Sequence, residues 1–259
     1  MMKTRTIVCI LAFLVFSTIC SETAVAIPTE VTVRVISKGG KFVGTSMGGA
    51  SVIVKDLSTG EILARGITQG STGNTELIMD KPRTPGDTIS DETSAKFTAT
   101  IDIDEPTHAE ISAYGPLAQK QSANAVSITQ WLIPGRHITA GDAIVLELPG
   151  FVVDILAPPA HVTLGGAPQI VKIRANVMMM CGCPLTPGGI WDSAKLEIKA
   201  VVKKDGKPAG AIDMKYAGEP SQFEAEYAVS EAGTYEVTVY AFDATNGNTG
   251  LDKTTFMMR

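Results

Sequence analysis

Cysteine and histidine are both scarce in this sequence. Only four cysteines occur among 259 residues, and two of them, Cys9 and Cys20, lie near the N-terminus. The other two, Cys181 and Cys183, are too few for the disulfide framework of a small secreted domain. The three histidines, His108, His137 and His161, are far apart in sequence. The sequence therefore predicts neither a disulfide-stabilised fold nor a histidine-rich metal site.

Catalytic motifs and a strong positive charge are also missing. The sequence has no metalloprotease His-Glu-x-x-His, no phosphate-binding glycine loop and no haem-attachment Cys-x-x-Cys-His. Thiol redox chemistry of Cys181 and Cys183 is the one enzymatic activity that the residues suggest, and otherwise we expect no enzyme. The net charge of −5 also argues against nucleic acid as a partner.

Long apolar runs are absent except at the N-terminus. Lys3 and Arg5 precede an apolar run over 7–16, and Ala24-Val25-Ala26 then forms a small-x-small cleavage site. This pattern predicts a signal peptide over residues 1–26 and a periplasmic or extracellular protein. A lipid anchor on Cys20 is an alternative. No other run approaches the roughly 18 apolar residues of a membrane span, so we expect no transmembrane segment in the mature chain.

The rest of the chain alternates with a period of two residues. Runs rich in Val, Ile, Thr and Tyr are bounded by Gly, Pro, Asn or Asp, which is typical of β-strands and turns. Residues 80–94 have no such period and are expected to form a mobile loop. A strand ends at Pro149-Gly150 and a new run begins at Phe151. We therefore predict an all-β protein of two consecutive β-sandwich domains, residues 27–149 and 150–259.

The first predicted domain resembles a known module. Gly49-Ala50-Ser51-Val52-Ile53-Val54-Lys55-Asp56 is followed by Thr59-Gly60 and then by the glycine-rich 68–73. This arrangement resembles the carboxypeptidase-regulatory-like, transthyretin-like β-sandwich. The resemblance implies a binding or spacer module without chemistry of its own.

The second predicted domain resembles another class of sandwich. Residues 231–243 read Glu-Ala-Gly-Thr-Tyr-Glu-Val-Thr-Val-Tyr-Ala-Phe-Asp. This run resembles the Gly-x-Tyr-x-Val-x-Val-x-Ala strand of bacterial immunoglobulin-like domains. The resemblance implies an immunoglobulin-like fold and indicates little about function.

The most unusual segment is a sulfur-rich run in the second domain, Met178-Met179-Met180-Cys181-Gly182-Cys183-Pro184. Val171, Ile173, Ala175 and Val177 precede it on one face of a strand. Continuing the period places Met179, Cys181 and Cys183 on the same, buried face. Met178 and Met180 then fall on the polar face, where long apolar side chains are expected only if another surface covers them.

Three interpretations of this run stay open. Soft thiolates and thioethers favour Cu(I), which would bind Cys181 and Cys183 with Met178, Met179, Met180 or His161. Alternatively, Met179, Cys181 and Cys183 are ordinary core residues at the end of a strand. The third interpretation is a redox pair or closed disulfide, for which Gly182 would have to bend the chain. Calcium at Asp243, Asn246, Asn248 and Asp252 is a further candidate, although Asn246-Gly247-Asn248 is first a hairpin turn.

Two functions follow from these interpretations. The first is an exported protein that binds or transfers copper as Cu(I) through the sulfur-rich run. The alternative is a metal-free structural or interaction module of an envelope or extracellular assembly, with Met178 and Met180 on a surface for another exported or membrane-associated protein.

Overall fold

The computed structural model describes residues 26–259, so the expected signal peptide and the expected anchor at Cys20 lie outside the described residues. Most of the described chain is β-strand, with single helical turns at Thr45–Met47, Glu76–Asp80, Lys120–Ser122 and Ser193–Lys195. The prediction of an all-β protein of β-sandwich architecture is confirmed for these residues.

The strands up to Leu148 form two facing sheets. They are β1 (Ile27–Ser37), β2 (Ser51–Asp56), β3 (Ile62–Ile67), β4 (Phe97–Ile103), β5 (Thr107–Gly115), β6 (Asn124–Leu132) and β7 (Ile144–Leu148). One sheet has the order β4-β1-β7 and the other β3-β2-β5-β6. All neighbours are antiparallel except β1 and β7, which are parallel. We refer to these two sheets as the first sandwich.

The strands from Phe151 onward form a second pair of sheets, the second sandwich. They are β8 (Phe151–Ala157), β9 (Val162–Leu164), β10 (Gln169–Met179), β11 (Glu197–Lys204), β12 (Lys207–Asp213), β13 (Lys215–Tyr216), β14 (Gln222–Val229), β15 (Gly233–Asp243) and β16 (Asn248–Met258). The sheet orders are β13-β14-β10-β8 and β12-β11-β15-β16-β9. Pro149 and Gly150 therefore connect the last strand of the first sandwich to the first strand of the second.

Each sandwich encloses its own apolar core. Alternate residues of each central strand point inward, as in β1, where Val31, Val33 and Val35 are fully buried. The inward residues of β10, from Val171 to Met179, pack against those of β11, β14 and β15 in the second core. The period-two pattern in the sequence therefore corresponds to real inward and outward faces of these strands.

The segment expected to be a mobile loop is anchored over its second half. The Asp142 carboxylate accepts hydrogen bonds from the backbone N–H groups of Ile89, at 2.9 Å, and Ser90, at 2.8 Å. Buried Arg34 donates to the carbonyl oxygens of Ser94, at 2.7 Å, and Ala95, at 3.2 Å. Burial lowers the pKa of Arg34, and the charges of Asp142 and Asp91 oppose that shift.

The connection between the sandwiches is fixed by a buried asparagine. Asn248, 1% exposed at the start of β16, accepts a hydrogen bond from Gly150 N at 2.6 Å through Oδ1. Its Nδ2 donates to Gly150 O at 2.9 Å. One side chain therefore satisfies both backbone groups of the linking residue, which would otherwise be buried without partners.

Replacing Asn248 should destabilise the protein more than its position beside a hairpin turn suggests. Asn248→Ala leaves the N–H and C=O of Gly150 unpaired, and we expect it to lower the free energy of unfolding by about 2 kcal/mol. Thr249→Ala, at the exposed neighbouring position, is the matched control and should change that free energy by less than about 0.5 kcal/mol. Urea denaturation of the three proteins measures both effects, and equal midpoints would show that the asparagine does not fix the connection.

Candidate functional site

The sulfur-rich run leaves the strand and forms a tight turn. β10 ends at Met179, whose N–H donates to Cys183 O at 3.1 Å, and Gly182 N–H donates back to Met179 O at 2.8 Å. Gly182 has φ of 79°, a left-handed conformation that glycine adopts without a steric penalty. The strand does not continue beyond Met179, because the chain bends at Gly182.

The bend joins the two cysteines. Cys181 and Cys183 form a disulfide whose Cα atoms are 5.4 Å apart. Residues two apart on an extended strand are separated by almost 7 Å, near the limit for a disulfide, and the turn shortens that separation. The described structure is thus the oxidised form, in which neither sulfur is a thiolate. Any metal bound through these cysteines would require the dithiol form.

The side chains of the run divide between the two cores. Met179, Cys181 and Cys183 are at most 5% exposed and belong to the second core. Met180, 1% exposed, packs into the first core, and partly buried Met178 packs against that core. The alternation of faces is therefore as predicted through Met179. The polar face is exposed at Lys172 and Arg174 and becomes covered only at its end, at Met178 and Met180.

The first sandwich is the surface that covers Met178 and Met180. Val152 of β8, directly opposite Met178 in the strand pairing, belongs to the first core as well. Phe151 and Val153 on the same strand point into the second core. The start of β8 and the end of β10 are thus buried on both faces. The idea that Met178 and Met180 present a surface to a separate partner is wrong, because the same chain already covers them.

A turn of the first sandwich contacts the disulfide directly. Lys41 N–H points at Cys181 Sγ at 3.5 Å, and a methyl group on Gly40 would lie 3.2 Å from that sulfur. Trp191 Nε1–H donates to Gly39 O at 2.9 Å. Met47, also in the first sandwich, lies against Gly182. We call this set of contacts the joint.

The loop after the disulfide closes over the second core. Leu185 is fully buried, and its N–H donates to Ser221 Oγ at 3.1 Å. Asp192 accepts hydrogen bonds from Gly188 N and Ala194 N, and these bonds lower the pKa of its carboxyl group. Beside the loop is a cleft of about 260 Å³ whose lining includes Met179 and Trp191.

His161 lies far from the sulfurs. The backbone N–H of His161 donates to Thr255 O at 2.8 Å. This bond is near the end of β16, where Met258 pairs with Leu164. The opposite end of this 11-residue strand, at Asn248, is the one beside Gly150. At about 3.3 Å per residue, His161 is roughly 20 Å from the joint. The structure does not bring His161 to the sulfurs as a ligand.

The four residues considered for calcium have separate roles. Asp243 accepts from Thr245 N–H and Asn246 Nδ2 within the hairpin turn. Asn248 holds Gly150, and Asp252 accepts from Ile155 N–H at 2.9 Å. Within residues 26–259, no three His, Cys, Asp or Glu side chains are grouped as a metal site. In the same part of the chain, no helix is long and apolar enough to cross a bilayer.

Sequence reasoning missed the residues that the first sandwich contributes to the joint. Lys41 and Met47 have no periodic pattern that marks them, and Gly39-Gly40 indicates only a turn. The available signal was indirect, namely two methionines at predicted polar positions. That signal predicts a covering surface but cannot identify it.

Comparisons with known proteins leave the description at the level of fold class. No family model matches the sequence, and no curated protein matches it. A crystal structure of an engineered protein is 20% identical with a TM-score of 0.32, over 49% of this chain and 24% of that one. Fibronectin(III)-like modules of Clostridium thermocellum CbhA are 13% identical with a TM-score of 0.30, over 82% of this chain and 78% of that one.

The chain spans about a quarter of the length of the engineered protein. Neither likeness is close enough to carry an inference about function. The fold itself defines an all-β protein of β-sandwich class, and its distinguishing feature is a sulfur-rich joint between two pairs of sheets.

A side chain on Gly182 should disrupt the joint. A methyl group there would lie 2.7 Å from Met47 Sδ, and the left-handed backbone adds about 1 kcal/mol of strain. We expect Gly182→Ala to lower the free energy of unfolding by about 2 to 3 kcal/mol. Gly188→Ala is the matched control, because Gly188 has φ of 69° with open space around it. Denaturant unfolding should show a clearly smaller loss for the control, and equal losses would mean that Met47 does not press on the turn.

Proposed function

We propose that this protein is an exported, metal-free structural module whose two sandwiches act as one unit. In this proposal the joint sets the relative orientation of the sandwiches, and their outer surfaces are available to another exported or membrane-associated protein. The observation that carries the proposal is the burial of the sulfur-rich run between the sandwiches, with Met180 and Cys181 each 1% exposed. Export rests on the signal-peptide pattern of residues 1–26.

Several contacts besides the methionines support a rigid unit. Ser122 Oγ of the first sandwich both donates to Val153 O, at 3.2 Å, and accepts from Val153 N, at 3.0 Å. Asn124 Nδ2 donates to Pro149 O at 3.2 Å. At the joint, the Trp191 side chain donates a hydrogen bond to Gly39 O. The sandwiches are therefore held by directional contacts as well as by apolar packing. Directional contacts favour one orientation, whereas apolar packing alone tolerates sliding.

The resemblances noted in the sequence support the same role. A carboxypeptidase-regulatory-like first sandwich would act as a spacer, and an immunoglobulin-like second sandwich is a common framework for binding surfaces. Neither role requires a cofactor or catalytic residues. The proposal therefore uses the fold and the joint, without chemistry at the sulfurs.

Cooperative unfolding tests whether the sandwiches act as one unit. The mature wild-type protein, residues 27–259, should unfold in a single transition. Met180→Ala empties a buried site between the two sandwiches, so we expect a loss of about 3 kcal/mol in the free energy of unfolding and separate transitions for the two sandwiches. Met257→Ala, which truncates a 38%-exposed methionine of the second sandwich, is the control and should keep one transition. Calorimetry measures both, and two transitions in the wild type would contradict the proposal.

A second candidate is Cu(I) binding by the dithiol form. The observation that favours it is the clustering of Met179, Cys181 and Cys183 in one buried group, which excludes water from two thiols and a thioether. Two thiolates and a thioether suit the low coordination numbers of Cu(I). The dithiol arises when an external dithiol supplies two electrons and two protons to the disulfide and is itself oxidised to a disulfide.

Competitive titration tests this candidate. We expect the mature protein, reduced under anaerobic conditions, to bind about one equivalent of Cu(I) against a chelator, and the oxidised protein to bind none. The double variant with Cys181→Ser and Cys183→Ser has neither thiol nor disulfide and should bind none under the same reducing conditions. Absence of competitive binding by the reduced wild type would eliminate copper and leave the structural module.

A further inference from the structure

Strand β6 forms one edge of the sheet β3-β2-β5-β6 in the first sandwich. It pairs with β5 along its whole length, and six of its nine residues are exposed. Within residues 26–259, no strand pairs with the other side of β6. Alternate residues of an edge strand direct their N–H and C=O groups away from the sheet. β6 therefore presents a row of backbone donors and acceptors with which another strand could pair.

The sequence of β6 has none of the features that usually protect an edge strand. Natural edges are blocked by charged side chains, proline or a bulge. β6 reads Asn-Ala-Val-Ser-Ile-Thr-Gln-Trp-Leu, without charge, proline or glycine, and its register with β5 has no shift. By comparison, the edge strand β12 contains Lys207, Pro208 and Asp213, and its register shifts. The edge strand β3 contains Arg65. β6 is thus a long, unprotected edge.

Two large apolar side chains of β6 are exposed at this edge. Ile128 is 38% exposed and Trp131 is 58% exposed. Trp131 lies directly opposite His108 of β5, and the two rings stack with centroids 4.7 Å apart and an angle of 13° between their planes. The stacking fixes the indole and covers the face that is turned to β5, so its other face is turned to the open edge. A strand added beside β6 would bury both side chains.

A second copy of β6 is complementary to the first. Ile128 is the middle residue of the strand. In an antiparallel pair that is symmetric about Ile128, this residue lies opposite its own copy, and the hydroxyl groups of Ser127 and Thr129 lie opposite each other. Trp131 lies opposite Ala125, whose small side chain leaves space for the indole. Because β6 carries no charge, the symmetry brings no like charges together.

We propose that two copies of this protein associate through β6, antiparallel and symmetric about Ile128. The two sheets β3-β2-β5-β6 then join into one continuous sheet. This inference goes beyond the structural module proposed above, because it assigns one of its surfaces to a second copy. The self-complementary order of side chains along β6 favours a second copy over an extended segment of another protein, since every contact forms twice about the symmetry axis.

Charges at the symmetric position test the proposal. The mass of the mature, oxidised protein is measured by sedimentation velocity over a range of concentrations, and the wild type should form a dimer. Ile128→Lys and Ile128→Glu each place two like charges opposite each other, so we expect each to weaken dimerisation about tenfold. An equimolar mixture of the two variants should restore a dimer with one copy of each. Ile67→Lys and Ile67→Glu are the matched controls, at a 47%-exposed isoleucine on the opposite edge of the sheet, and should dimerise as the wild type does.

Hydrogen exchange gives an independent measurement on the unmodified protein. Amides of β6 should exchange more slowly at concentrations where the dimer forms, whereas amides of the edge strand β3 should exchange equally at all concentrations. A wild type that stays monomeric at millimolar concentration would overturn the inference and leave β6 to an extended segment of another protein. A dimer that persists unchanged in both Ile128 variants would also overturn it, because another surface would then hold the copies together. Monomeric variants whose mixture stays monomeric would show that Ile128 does not meet its own copy, which contradicts the proposed symmetry.

Discussion

The close approach of Met47 to the backbone of Gly182 is the contact on which the joint depends. Gly182 must be glycine, because its backbone is left-handed and its missing side chain leaves the space that the thioether occupies. The bend at Gly182 brings Cys181 and Cys183 within disulfide distance and directs Leu185 back into the second core. One glycine thus couples the local turn, the disulfide and the packing of the two sandwiches.

The start of β8 and the end of β10 lie between the two cores and are buried on both faces. Outer faces of sandwich strands are usually solvated. Val152 of β8 and Met180, which directly follows β10, nevertheless lie in the first core, although both strands belong to the second sandwich. Methionine suits such a position because its flexible, unbranched side chain fills irregular gaps between surfaces of different curvature. Asn248 and Ser122 add hydrogen bonds to backbone groups that the packing would otherwise leave unpaired. The apolar contacts supply the attraction, and the hydrogen bonds select the orientation.

The sequence predicted the interior of each sandwich better than the contact between them. Alternation in β10 follows from the pleat of a strand and requires only local information, so the inward face from Val171 to Met179 was predictable. The contact between Lys41 and Cys181 joins residues 140 positions apart, and no local pattern encodes such a pairing. His161 was grouped with the sulfurs because it lies in the same predicted domain, whereas the chain places it near the other end of β16.

The central claim is that the sulfur-rich joint holds the two sandwiches in one fixed orientation. Residual dipolar couplings of backbone amides in the oxidised mature protein test this claim directly, since couplings from each sandwich report its own alignment. A rigid joint predicts that one alignment tensor fits the amides of residues 27–148 and 151–259 together, with the orientation described here. Two tensors of different magnitude, one for each sandwich, would show independent motion and contradict the account.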